Sequence, residues 1–232
     1  MRIWPLMAFK NLTATLPMVA VLGAFLFTTQ HAMAIEEPGF KVISKSGTFE
    51  LREYVPMLVA ETLVEGDMND AGNAGFRRIA DYIFGNNQVP AGANTANAAK
   101  IAMTAPVTME PQSQKIAMTA PVALEPATTM ADSKQWRVHF VMPSQYTLES
   151  IPKPVNPEVK LRQIPGKLVA VNTFTGFNTV SRVQAKTDEL RVWIGQKNWK
   201  ALGQAQLARY DPPWTLPMFR RNEVMIEVEN LL

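Results

Sequence analysis

The chain has 232 residues, of which 47% are hydrophobic and 19% charged, with a formal net charge of +3 and no cysteine. That length suits one compact domain or two small ones, and the composition excludes a chain that is disordered throughout. The missing cysteine excludes disulfides, thiolate metal sites and cysteine nucleophiles. No basic stripe interleaved with aromatics is present to grip nucleic acid.

The first 34 residues read as a secretory signal peptide. Arg2 and Lys10 flank the start, an apolar run of 12 residues follows at 16–27, and Ala32-Met33-Ala34 has the small residues of a cleavage site. A membrane span needs about 20 apolar residues, so the run is short for one. No twin-arginine pair precedes it, which favours the general secretory route. The expectation is cleavage near Ala34, a periplasmic or secreted domain over residues 35–232, and no stable membrane span afterwards. Residues 1–34 hold two basic residues and no acidic ones, so the rest of the chain carries a net of +1.

Residues 49–65 predict two short strands around a turn at Pro56, because apolar positions alternate in MLVAETLVEG. A helix is expected over about 70–84. Phe76, Ile79, Ala80, Ile83 and Phe84 fall on one face of a 3.6-residue period, and Gly85 suits the left-handed residue that ends a helix. Residues 86–99 are small, polar and marked by glycine and proline, the composition of a loop.

The octapeptide KIAMTAPV then occurs at 100–107 and again at 115–122. Alternation puts Ile101, Met103, Ala105 and Val107 on one side, and the link 108–114 carries turn residues. A hairpin of two identical strands beside the first helix is therefore expected. Its methionines, Met103 and Met118, either pack, line a groove or ligate a metal. A further strand is expected at 134–143, and the proline-rich stretch 144–160 reads as a stiff connection.

A longer repeat organises the chain. LREYVPMLVAETLVEG (51–66) lies over LRQIPGKLVAVNTFTG (161–176) without a gap, matching Leu51/Leu161, Arg52/Arg162, Leu58/Leu168, Val59/Val169, Ala60/Ala170 and Gly66/Gly176. The same offset sets Gly85 on Gly195. Val183, Thr187, Leu190 and Ile194 mark a second helix that Gly195 should close, and 222–229 reads as a last strand. The plan is strand–strand–helix–strand–strand, twice, in halves of about 40–143 and 158–230. We expect an α+β domain in which the duplicated unit forms a distorted antiparallel β-barrel flanked by two helices.

Enzyme signatures are missing: there is no HExxH, GxSxG, phosphate-binding loop or dinucleotide fingerprint. The expectation is a non-catalytic protein.

KIAMTAPV, WRVHFVMPSQY (136–146) and above all RYDPPWTLPMFRRNEVMIEV (209–228) resemble the SOUL/haem-binding protein family. The resemblance runs from about Phe40 to Val228. It implies a duplicated, distorted β-barrel with two helices, and binding of haem or related tetrapyrroles in several members. The family usually shows the KIAMTAPV phrase once, so one copy here would be an inserted strand. The resemblance also implies a groove beside the first helix, with Phe76, Ile79 and Ile83 as its wall unless they simply pack on the sheet. Basic groups for the haem propionates are implied at positions held here by Asn73, Asp81 and Thr215, none of them basic. Arg77 and Arg78 are the substitutes at hand.

Trp214, Met218 and Phe219 could form a lid of polarisable apolar side chains. Arg220 and Arg221 could reach a carboxylate or pair with Glu223. The weak axial-ligand candidates are His139, Met103 and Met118. The expected function is a monomeric periplasmic binding protein for haem or a related tetrapyrrole. The alternatives are a module for another apolar or amphipathic small ligand, or a protein-interaction scaffold.

Overall fold

The computed structural model describes residues 35–90, 98–112, 133–212 and 214–230. The signal-peptide reading and the second octapeptide, Met118 included, fall outside them. The elements in chain order are β1 (Phe40–Ser46), β2 (Phe49–Tyr54), β3 (Met57–Glu65), α1 (Met68–Ile83), β4 (Asn87–Gln88), β5 (Val107–Gln112) and β6 (Gln135–Val141). They continue with β7 (Lys153–Pro154), β8 (Lys160–Ile164), β9 (Lys167–Thr175), α2 (Val180–Gln196), β10 (Trp199–Arg209), a 3-10 turn at Pro217–Phe219 and β11 (Arg221–Asn230). Among the described residues no helix is long and apolar enough to cross a membrane.

Nine strands form one antiparallel sheet in the order β1-β2-β9-β11-β10-β5-β6-β3-β8, and β4 pairs with β7 apart from it. The order is a palindrome of the repeat. Unit one supplies β2, β3, α1, β5 and β6, and unit two supplies β8, β9, α2, β10 and β11 in the same roles. The register repeats as well: Leu51 faces Ala170 in the β2–β9 ladder, and Leu161 faces Ala60 in the β3–β8 ladder. The first strand of each unit therefore pairs in the other unit's half, so neither half completes its own sheet. Gly66 and Gly176, matched in the repeat, both take positive φ, at 123° and 101°, where the chain leaves a strand for a helix.

The sheet curls, but it does not close. Tyr54, Met57, Val141, Ile164, Val169 and Met225, from six strands, line one small cavity on the face away from the helices. Yet no ladder joins β8 to β1 among the described residues, so the expected closed barrel is instead an open one. Both helices cover the other face. Their buried side chains, among them Ile79, Ile83, Leu190 and Trp193, share one core with Trp136, Val138, Phe140, Leu207 and Ile226.

Helix α1 comes unusually close to that sheet. A Cβ on Gly75 would lie 2.6 Å from Val138 Cγ2, and one on Gly72 would lie 2.9 Å from Met109 Sδ. Glycine at these two positions sets the approach, and any side chain there would push the helix away from the sheet.

Other expectations are corrected by local chemistry. The first octapeptide is not a strand: Ile101, Thr104, Ala105 and Pro106 are buried while Met103 is exposed, which is not alternation. It is an irregular segment tied at three points. Ile101 N–H donates to Ile83 O, the Thr104 hydroxyl donates to Val141 O, and Ala105 N–H donates to Glu36 O. The strand starts at Val107 and runs through the residues expected to turn. Pro111 is tolerated because β5 pairs with β10 only over Val107–Met109, so beyond Met109 one side of the strand has no neighbour to bond. Gly195 does not end the second helix. Helix α2 continues to Gln196, and Asn198, with φ 56°, takes the left-handed position. The twofold plan called for a strand in the place of β10 without giving it a range, and β1 was not anticipated.

Candidate functional site

Helix α1 starts at Asp67, whose carboxylate accepts from the N–H groups of Asn69 and Asp70, each at 2.9 Å. Of its expected groove wall, Ile79 and Ile83 are buried at 0% and 1% exposure in the core, so they pack on the sheet and cannot face a ligand. Phe76 is half-buried, with its ring 5.6 Å from that of Phe140. Arg78 is tied to the sheet through Thr62 Oγ1 and Leu63 O and pairs with Glu158. Arg77 is exposed.

The segment between β10 and β11 is the part of the surface where large apolar side chains gather. Trp214, Leu216, Met218 and Phe219 are 81%, 59%, 62% and 70% exposed, and Phe177, from the β9–α2 connection, is 59% exposed. The backbone beneath them is fastened. The Asp211 carboxylate accepts from Arg221 N–H at 2.6 Å, and Thr215 N–H donates to Pro212 O. Arg220 Nε donates to Thr215 O at 2.7 Å, and the guanidinium stands 5.9 Å from the centre of the Phe177 ring. An anchored loop that leaves four large apolar side chains in water is unusual for a surface with no binding role.

Arg209, the last residue of β10, lies at the foot of this loop and was not singled out in the sequence. Its Nη1 comes 3.4 Å from where a Cβ would stand on Gly72 of α1. With the amide oxygen of Asn178 turned toward it, its Nε donates at 2.6 Å and its Nη2 at 3.3 Å. Burial and the neighbouring Arg220 charge hold its pKa below the ordinary value. Among the described residues, the guanidinium lies against Gly72 of α1 and bonds the neutral Asn178 amide. The one sequence signal for it was its place at the head of the RYDPPW motif.

The remaining candidates lie elsewhere. His139 alternates with Val138 and Phe140 on β6, so it points to the face away from the helices, where it lines the cavity with Tyr54, Val169 and Met225. The sheet separates it from α1, and it cannot ligate a metal in a groove there. Met103 belongs to the segment that leaves the C-terminal end of α1 at Ile83. That end is about 16 Å along the helix from Gly72, at 1.5 Å per residue. Asn73 is exposed, Asp81 accepts from Asn86 Nδ2 at 2.5 Å, and Thr215 uses its carbonyl as described. Arg221 pairs with Glu37, lies 3.8 Å from Glu223 and stacks over the Tyr210 ring, so its role is structural.

His139 carries a testable pH signature. Burial, helped by Arg162, Lys167 and Arg137, pulls its pKa down from 6.5 to about 3, and its Nδ1 has no partner among the described residues. The native state keeps it neutral while the unfolded chain protonates it, so its contribution is intact above pH 6.5 and is lost as pH falls toward 3. Glu110, raised by burial on the same face, works in the opposite direction. Urea titrations between pH 7 and 4 should show His139→Leu with a shallower loss of stability than the parent, by up to about 1.4 kcal/mol per pH unit. Parallel curves for the two proteins would refute this.

A cavity of about 400 Å³ opens between the N-terminal segment and residues 142–149, lined by Glu36, Met57, Thr104, Val141, Tyr146 and Gln163 among others. It contains none of the expected site residues.

Comparison with known proteins bears on both the duplication and the site. The SOUL heme-binding protein model matches residues 35–113 and again 108–227, two matches consistent with a duplicated unit. The chain belongs to the SOUL haem-binding protein family. No curated relative matches the sequence. Solved structures share the fold at low identity. The C-terminal domain of EcmrR has a TM-score of 0.53 and 11% identity, covering 79% of this chain and 98% of that one. An uncharacterized conserved protein from Listeria innocua has a TM-score of 0.50 and 13% identity, covering 78% and 92%. In this SOUL domain, the signature from Arg209 to Val228 supplies the exposed loop, its buried fastenings and the Arg209 guanidinium together.

Proposed function

We propose that the protein is a non-catalytic binding protein for haem or a related tetrapyrrole. It would act as a monomer in the periplasm, after removal of residues 1–34, to carry, buffer or scavenge its ligand. Family membership supports the ligand class. The observation that carries the location is the cluster Phe177, Trp214, Leu216, Met218 and Phe219, exposed in the β9–α2 and β10–β11 connections. A flat, polarisable macrocycle laid on these side chains would remove them from water, and Trp and Met surfaces suit such a ligand. The test is a haemin titration of the purified protein, read by the Soret band and by tryptophan quenching. Saturable binding in the low micromolar range is expected, and a linear, unsaturable response would reject the reading.

The second reading, a site for another amphipathic small molecule, is favoured by the 400 Å³ cavity beside Glu36 and Tyr146. Native mass spectrometry of protein taken from its own compartment separates the two. A co-purified porphyrin mass supports the first and any other small-molecule mass the second.

A further inference from the structure

We propose that the interior of the open barrel holds a site for a soft monovalent metal ion, copper(I) by its chemistry, ligated by His139, Met57 and Met225. The site is independent of the tetrapyrrole reading, because these residues line the face of the sheet away from α1.

Three observations carry it. First, His139 is 5% exposed, yet its Nδ1 has no hydrogen-bond partner among the described residues, and the side chain lines the small interior cavity. A buried ring nitrogen without a partner is costly unless something in the cavity bonds it. The space is about 30 Å³, the share of one water molecule, so it admits an ion or a water and nothing larger.

Second, the donors around that space are soft. Met57 and Met225 line it with His139, and thioether and imidazole together suit copper(I). Burial keeps the imidazole neutral, the form that ligates a metal. Among the described residues no group of three or more His, Cys, Asp or Glu gathers to hold a metal, so the donor set of a harder divalent ion is missing. The basic side chains on this face, Arg137, Arg162 and Lys167, are matched by the carboxyl groups of Glu61, Glu110 and Glu227. A lining so balanced tolerates one added charge better than two.

Third, a path leads in. Pro38, Met57 and Val141 line both this cavity and the 400 Å³ cavity beside Glu36, so these side chains are the wall between the two. The outer cavity is lined by Glu36, Glu37 and Glu149 and, among the described residues, by no lysine, arginine or histidine. Such a lining gathers cations at the mouth. Met57, flexible and shared by both cavities, can hand an ion from one to the other.

The experiment titrates the purified protein with silver(I), a redox-inert stand-in for copper(I), in chloride-free buffer. Native mass spectrometry counts the bound ions and NMR follows the methionine methyl groups. A single equivalent should bind and shift the Met57 and Met225 signals. Met225→Leu, which conserves volume, and His139→Leu should each weaken silver at least about tenfold. Zinc(II) should bind the parent about 100-fold more weakly than silver. Met103→Leu, at an exposed methionine, should change nothing.

The proposal is overturned if no equivalent of silver binds, which would leave the cavity to water alone. It is equally overturned if Met225→Leu and His139→Leu bind silver as the parent does, or if zinc(II) binds as tightly. The methyl shifts of the parent need no variant, so they decide the matter even where a variant fails to fold: shifts confined to the exposed Met103 and Met218 would place the ion on the surface and refute the site.

Discussion

Replacing Glu223 with alanine is expected to lower the unfolding free energy by about 3–5 kcal/mol, the largest stability effect of any single polar substitution proposed for this protein. Glu223 is 1% exposed and holds a fork of two bonds from Arg52, at 2.8 and 3.0 Å. It also accepts from the Tyr210 hydroxyl at 2.7 Å. Arg52 is committed on its other sides, to Glu50 at 2.8 Å, to Tyr54 at 3.2 Å and under the Phe40 ring at 4.4 Å. Removing the carboxylate would leave a buried guanidinium and a buried hydroxyl without their acceptor. The desolvation of those groups, and not the strength of the pair itself, sets the cost.

Two controls follow. Glu223→Gln keeps an acceptor and should cost less than alanine. Arg52→Met combined with Glu223→Leu should recover part of the loss, since no buried guanidinium is then stranded and Glu50 keeps its bond from Lys45 at 2.7 Å. Urea unfolding followed by tryptophan fluorescence, at constant m value, is the measurement. A loss below about 1 kcal/mol for Glu223→Ala would show that the network is solvated and refute the argument.

The second large effect concerns binding. Trp214→Ser combined with Phe219→Ser should weaken haemin about 100-fold, because a large aromatic contact at the centre of a binding surface is commonly worth 2 kcal/mol or more. The same double variant should melt within error of the parent. At 81% and 70% exposure the two side chains contribute little to the core, and substitutions at such positions stay within about 0.5 kcal/mol. This dissociation of binding from stability is what separates a ligand surface from a packed corner. An unchanged haemin affinity would move the site elsewhere, with the 400 Å³ cavity as the next place to look.

The SOUL signature does two jobs, and only the structure separates them. Tyr210, Asp211, Arg221 and Glu223 are consumed in fastening the loop and joining β2 to β11. Trp214, Met218 and Phe219 are left outside, as the sequence allowed, and Arg209 ends the strand that leads into their loop. Ile79 and Ile83 took the packing alternative and not the groove wall, because a 3.6-residue apolar period marks a helix face that is buried and cannot say whether sheet or ligand buries it. The octapeptide misled for a related reason. Its alternation matched a strand, but two of its backbone N–H groups and the Thr104 hydroxyl are bonded to Ile83, Glu36 and Val141, which are distant in sequence and belong to three different segments.

What the sequence determined by itself was everything with a local or periodic cause. The two helices follow from apolar periods, and the matched halves from a repeat at constant offset. The glycines that leave strands for helices follow from their positions at the ends of that repeat. Tertiary structure decided which strands pair, because the partners lie in opposite halves and a ladder is set by contacts far apart along the chain. It therefore decided that β2 and β8 exchange between units and that the barrel stays open. It also decided that His139 and Arg209 lie on opposite faces of one sheet. A single-residue step along a strand reverses the direction of a side chain, so the register of distant partners settled where each charge and each ring would stand.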